Sequence, residues 1–150
     1  MRTFDEKTEA LLTDLLDKSS EAYDSGNVKK AFDCLVKAYQ SIPEPKKEYN
    51  EAYNYCSYAL DFILEEKYNI EESKSWLEEL HSIAEYQKTW DGSIDFFAGK
   101  TNFRLGNFTE AKINFDNAVK IGKGFRYFEE EDKIYQDFYL HPEKYMKEEQ

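Results

Sequence analysis

A chain of 150 residues is about one domain on the usual length prior, and when folded it buries about 68–70% of the surface it exposes unfolded. Its 17% aromatic and 41% hydrophobic content excludes a disordered chain, so the mean hydropathy of -0.83 reflects heavy surface charge and not the lack of a core. With 31 acids against 20 bases the net charge is -11, which argues against bulk binding to DNA, RNA or an anionic membrane, since each needs a basic face.

Six glycines and three prolines are too few for an all-β domain, which needs many turns. Leu11, Leu12, Leu15, Leu16, Ser19, Ala22 and Tyr23 share one face of a first helix, which Ser25-Gly26-Asn27 stops. Val28, Ala31, Phe32, Leu35, Ala38 and Tyr39 line a second, ended by Pro43 and Pro45. A third runs over residues 48–66 with Tyr55, Tyr58, Ala59, Phe62 and Ile63 apolar. A fourth starts at Asn69 and turns Trp76, Leu77, Leu80, Ile83 and Ala84 inward. Asp91-Gly92-Ser93 opens a fifth through Phe96, Phe97, Gly99 and Phe103, and Leu105-Gly106-Asn107 breaks it. Phe108 leads a sixth with Ala111, Phe115, Ala118 and Val119 inside, ended at Ile121-Gly122-Lys123-Gly124. A seventh begins near Glu129, with acids at 129–132 in its first turn where they favour the helix dipole, and stops before Pro142. Residues 147–150 are expected to fray.

The chain also repeats itself. Gly26-Asn27-Val28-Lys29-Lys30-Ala31 aligns with Gly106-Asn107-Phe108-Thr109-Glu110-Ala111, and downstream Leu35 and Ala38 align with Phe115 and Ala118. Glycine makes a tight corner, and the small alanine lets two helices approach. A weaker middle copy, Tyr68 to Ser73, puts Ser73 in the small position with no glycine at the corner. This pattern resembles the tetratricopeptide repeat, a helix-turn-helix of about 34 residues. Ala98-Gly99 matches the family's upstream pair, whereas Lys18-Ser19 departs from it. The family tryptophan is replaced by Leu15, Ser57 and Asp95. The small positions Ala31, Ser73 and Ala111 lie 42 and 38 residues apart, so the connections are longer than in a regular array. The resemblance implies an all-α, right-handed α-solenoid forming one domain over residues 1–150. It has three helical hairpins, at about 8–43, 48–85 and 92–121, and a cap at about 129–141. Ile134, Tyr135, Phe138, Tyr139 and Leu140 would cover the last apolar face, with Phe125, Tyr127 and Phe128 packed before them; the other reading of that helix is a partner-docking element.

Little in the sequence reads as chemistry. His81 and His141 lie 60 apart with no ligand at metal spacing. Cys34 and Cys56 read as structural thiols, since two cysteines are no disulfide framework and neither has a base beside it. Gly122-Lys123-Gly124 lacks the strand and spacing of a phosphate loop. Glu65-Glu66, Glu71-Glu72 and Glu78-Glu79 read as solvated surface, because adjacent helical carboxylates do not face one another. No catalytic residue, metal or cofactor is expected. No apolar run approaches the roughly 20 residues of a bilayer span. Residues 1–16 carry Asp5, Glu6 and Glu9 and do not read as a signal peptide, so a cytoplasmic protein is expected.

Charge distribution is more informative. Residues 48–99 carry 12 acids and 3 bases, while residues 100–126 are net +4. In tetratricopeptide-like stacks the first helix of each pair lines the concave groove. Here that puts Leu16, Ser20, Tyr23 and Asp24 in the groove from the first helix. Tyr55, Tyr58, Phe62, Glu65 and Glu66 come from the third, and Phe96, Phe97, Lys100, Phe103 and Arg104 from the fifth. The expected groove has an aromatic floor, acids in the middle and two bases at one end, with a protein partner. The other reading is that half of these rings pack between repeats. The groove lacks the Lys/Asn clamp of chaperone-tail adaptors. Gly124, Arg126, Phe128, Glu131, Asp132, Tyr135, Phe138 and Tyr139 make a segment similar to one in small acidic bacterial repeat proteins regarded as immunity partners of secreted toxins. That resemblance implies binding and neutralisation of a toxin. The alternative is a secretion chaperone or adaptor holding an extended client.

Overall fold

The computed structural model describes residues 1–122 and 124–146. Lys123, one of the bases counted above, and the fraying expected at 147–150 lie outside them. Among the described residues the chain forms eight α-helices and no strand, with one isolated bridge pairing Arg2 and Tyr49. The helices are α1 (Glu6–Asp24), α2 (Val28–Gln40), α3 (Ala52–Glu66), α4 (Ser73–Gln87), α5 (Gly92–Arg104), α6 (Phe108–Gly122), α7 (Lys133–Leu140) and α8 (Glu143–Met146). The principal partners are consecutive: α1 packs on α2, α3 on α4 and α5 on α6, while α2 meets α3 and α4 meets α5. None of these helices is long and apolar enough to cross a membrane.

The two glycine corners are built alike. Gly26 and Gly106 have φ of 80° and 81°, a left-handed conformation that costs glycine little. Each glycine donates its N–H three residues back, to Tyr23 and Phe103, and the following Asn27 and Asn107 donate to Ala22 and Asn102, both at 2.8 Å. The middle corner reaches the same reversal without glycine: Lys67 and Asn69 both take φ of 54°. A 3-10 turn at Ile70–Glu72 precedes α4, which therefore starts at Ser73 and not at Asn69. Ala31, Ser73 and Ala111, the small positions of the three copies, are all fully buried.

Two more helices start later than the sequence predicts. The backbone of residues 48–50 is engaged by the N-terminus: Arg2 N–H donates to the Glu48 carbonyl (2.9 Å) and Asn50 N–H to the Arg2 carbonyl (3.2 Å). Phe4 stacks on Tyr49 at 5.3 Å, and α3 begins only at Ala52. α7 begins at Lys133, because the Asp132 carboxylate accepts from the Ile134 N–H (3.0 Å) and serves as N-cap. Residues 129–132 are thus not a first helical turn but an acidic segment outside the helix. α8, four residues long, had no counterpart in the sequence reading.

One apolar cluster joins the first two pairs through Leu12, Leu15, Ile42, Leu60, Leu64, Leu80 and Ile83. A second is aromatic and joins α5, α6 and α7: Phe96, Phe103, Phe115, Phe128, Tyr135 and Phe138 are buried together. α7 covers the end of the third pair, but Phe125 and Leu140 stay exposed, at 44% and 50%.

Candidate protein-binding groove

α1, α3 and α5, the first helix of each pair, contribute to three depressions that share Glu65, together termed the trough. Between α1 and α3 lies a depression of about 350 Å³ bordered by Leu16, Ser20, Tyr58, Asp61, Phe62 and Glu65. A second, of about 330 Å³, continues along the same two helices past Tyr23, Asp24 and Glu66. A third, of about 200 Å³, lies between α3, α5 and the acidic segment, bordered by Lys100, Arg104, Glu130, Glu131, Asp132 and Tyr135. Glu65 lines all three, so the depressions adjoin.

The ten residues singled out from the sequence divide into three groups. Tyr23, Tyr58, Phe62, Glu65 and Glu66 line the trough. Tyr23 and Tyr58 are exposed and Phe62 is half-buried. The Tyr23 hydroxyl donates to Glu66 (3.0 Å), and its ring makes a T-shaped contact with Phe62, centroids 6.2 Å apart. Tyr55 and Phe103 do not face the trough. Tyr55 is buried beneath Tyr58 and Phe4, and Phe103 is enclosed by Phe108, Tyr135, Phe138 and Tyr145. Both belong to the interior, as the alternative reading of the rings allowed. Phe97 belongs with them: it is half-buried and packed against the apolar core, with the Lys100 ammonium 4.8 Å from its ring centre.

The two bases are the third group and the main correction. Lys100 is only 3% exposed. Its ammonium donates to Glu131 (2.7 Å) and Asp61 (3.4 Å) and lies over the rings of Phe96 and Phe97. Arg104 donates to the Tyr135 hydroxyl (2.9 Å) and to Asp132 (3.4 Å). The expected basic end is therefore neutralised from within, by carboxylates delivered by the segment before α7. The three depressions together are lined by seven carboxylates (Asp24, Asp61, Glu65, Glu66, Glu130, Glu131, Asp132) and by these two bases.

The sequence singles out Glu131, Asp132 and Tyr135 only as part of the segment at residues 124–139 and Asp61 not at all, and none of the four was expected in the trough. Asp61 was within reach: it lies one turn before Glu65 and three residues after Tyr58, on the same face of α3. The other three depend on where a connecting segment aims, which no helical periodicity encodes. Burial first, then Asp61 and Glu131, push the Glu65 carboxyl above its usual range, with Lys100 pulling the other way. Glu66 raises the Tyr23 hydroxyl through their hydrogen bond.

Cys56 and His81 lie outside the trough and are held in packing contacts. Burial pushes the Cys56 thiol up, and that thiol points at the Trp76 carbonyl (3.7 Å). His81 packs edge-on against Trp90 at 4.8 Å. Among the described residues no group of three or more His, Cys, Asp or Glu side chains is placed to hold a metal ion. Comparison with family models, curated proteins and solved structures finds no match to this chain.

Proposed function

We propose that the chain is a non-catalytic protein-binding module, a right-handed stack of three tetratricopeptide-like hairpins whose concave face holds its partner. One observation carries this reading: three depressions meet at Glu65 on the face formed by the first helix of every pair, with exposed Tyr23 and Tyr58 rings at the rim. Aromatic rings that remain half-exposed on a folded chain are typical anchors of protein interfaces. The likeness of the segment from Gly124 to Tyr139 to toxin-immunity proteins makes a secreted toxin the first candidate partner, bound and neutralised in the cytoplasm of a bacterium.

The test is site-specific crosslinking in the native cell. A photoreactive residue at Ser20, inside the trough, is expected to capture the partner, whereas the same residue at Lys74 on α4 is not. Capture from Lys74 alone would overturn the groove reading. A captured folded toxin domain supports immunity, and a captured unfolded export substrate assigns the chaperone role instead.

A further inference from the structure

We propose that the trough takes an arginine-bearing, extended segment of its partner protein, with a guanidinium seated over Phe62 and Tyr58 and paired with Glu65. This deepens the groove reading and rests on it. The first argument is charge complementarity. Of the nine charged side chains that line the trough, seven are carboxylates, and both bases are already spent on ion pairs within the chain. Those pairs also occupy Asp61, Glu131 and Asp132, so Asp24, Glu65, Glu66 and Glu130 are the carboxylates left to a partner, and an anionic or apolar segment would leave them desolvated without compensation.

The second argument comes from Lys100. The chain already places one cation in this trough, over two aromatic rings and between two carboxylates. On the same face of α3, rings and a carboxylate recur, with Lys100 acting on that carboxylate only from beyond ion-pair distance. Half-buried Phe62 and exposed Tyr58 line a depression together with Glu65, and Glu65 makes no ion pair among the described residues. Glu65 is also crowded by Asp61 and Glu131, so an arriving positive charge relieves repulsion as well as forming a pair. Arginine suits the site better than lysine because a planar guanidinium stacks on a ring while its edge donates to a carboxylate. The open shape of the trough, running past both Tyr58 and Tyr23, accommodates a segment longer than one side chain.

The experiment uses the full chain and a short synthetic peptide carrying arginine at alternate positions. The same peptide with citrulline in place of arginine is its uncharged counterpart. Binding is followed by calorimetry and by NMR shifts of the aromatic side chains. The arginine peptide is expected to bind with shifts at Tyr58 and Phe62, and citrulline to weaken binding at least about tenfold, as loss of a charge-assisted pair over a ring does. Glu65→Gln should weaken arginine-peptide binding by a similar factor with an unchanged thermal melt. Glu78→Gln, which removes the same charge from α4 outside the trough, should leave it within about twofold. Equal binding of the citrulline peptide overturns the inference, and so does an equal loss in Glu65→Gln and Glu78→Gln, which marks diffuse attraction to an acidic protein. The two readings fail separately. A native partner crosslinked from Ser20 through a segment without arginine overturns the cationic occupant and leaves the groove standing, while no capture from Ser20 removes both.

Discussion

Lys100 is a lysine where lysines are seldom found, and four neighbours account for it: Glu131, Asp61 and the faces of Phe96 and Phe97. Removing the ammonium while leaving the carboxylates creates an uncompensated like-charge pair. Lys100→Ala is therefore expected to cost about 2 kcal/mol, below the 3–5 of a fully enclosed pair because Asp61 is partly solvated. Adding Glu131→Gln should recover part of that loss, and urea unfolding of the two single variants and the double measures the coupling. Strict additivity would mean that Lys100 is held by packing alone. Tyrosines give a second residue-scale expectation. The Tyr139 hydroxyl donates to Asp116 (2.9 Å), and burial together with that carboxylate pushes its pKa up to about 12. Burial, the first cause in each, also raises Tyr39, Tyr53 and Tyr135. A tyrosine whose folded pKa exceeds its unfolded value near 10 supports the fold fully below that pH and loses its contribution as pH rises toward the folded value. Stability should fall from about pH 10 toward 12, with the last part of the tyrosinate absorbance, that of the buried rings, appearing together with loss of helical circular dichroism. Ionisation of all the rings well before any loss of helix would contradict these burials.

At the scale of the element, corners and close approaches make different demands on glycine. A Cβ at Gly26 or Gly106 meets nothing within 4 Å, so Gly→Ala there tests only the left-handed backbone and should cost about 1 kcal/mol at each site. At Gly99 a Cβ would lie 2.6 Å from the Phe115 ring, so Gly99→Ala overpacks the α5–α6 contact and should cost about 1–3 kcal/mol. Thermal melts of the three variants check the order, and a Gly99→Ala protein as stable as wild type would mean that Phe115 shifts freely. These corners were legible in the sequence because a positive φ is a local requirement that glycine advertises. The starts of α3 and α7 were not. Acids at 129–132 suit a first helical turn and a pre-helical segment equally, and only the Asp132 cap on Ile134 separates the two. Similarly, periodicity cannot show that Arg2 returns to take up the backbone of residues 48–50.

Over the whole molecule, the segment at residues 129–140 links stability to the shape of the trough. Its acids bind Lys100 and Arg104 on α5, and its rings Tyr135 and Phe138 complete the aromatic cluster with Phe103 and Phe115. That is also why half of the trough was legible and half was not. Tyr23, Tyr58, Phe62, Glu65 and Glu66 follow from helical faces, whereas the fate of Lys100 and Arg104 was set by a segment some thirty residues away in sequence. Removing residues 129–150 should uncover Phe103 and Phe115, so the truncated chain is expected to bind a hydrophobic dye and to aggregate. Phe138→Ala tests the same contact more gently: Phe138 is fully buried, and the loss should be about 3–5 kcal/mol. Size-exclusion chromatography and urea unfolding read both variants. If the truncated chain were monodisperse and unfolded cooperatively at the wild-type midpoint, α7 would be an appendage, and the acids at 131 and 132 would serve the trough without holding the fold.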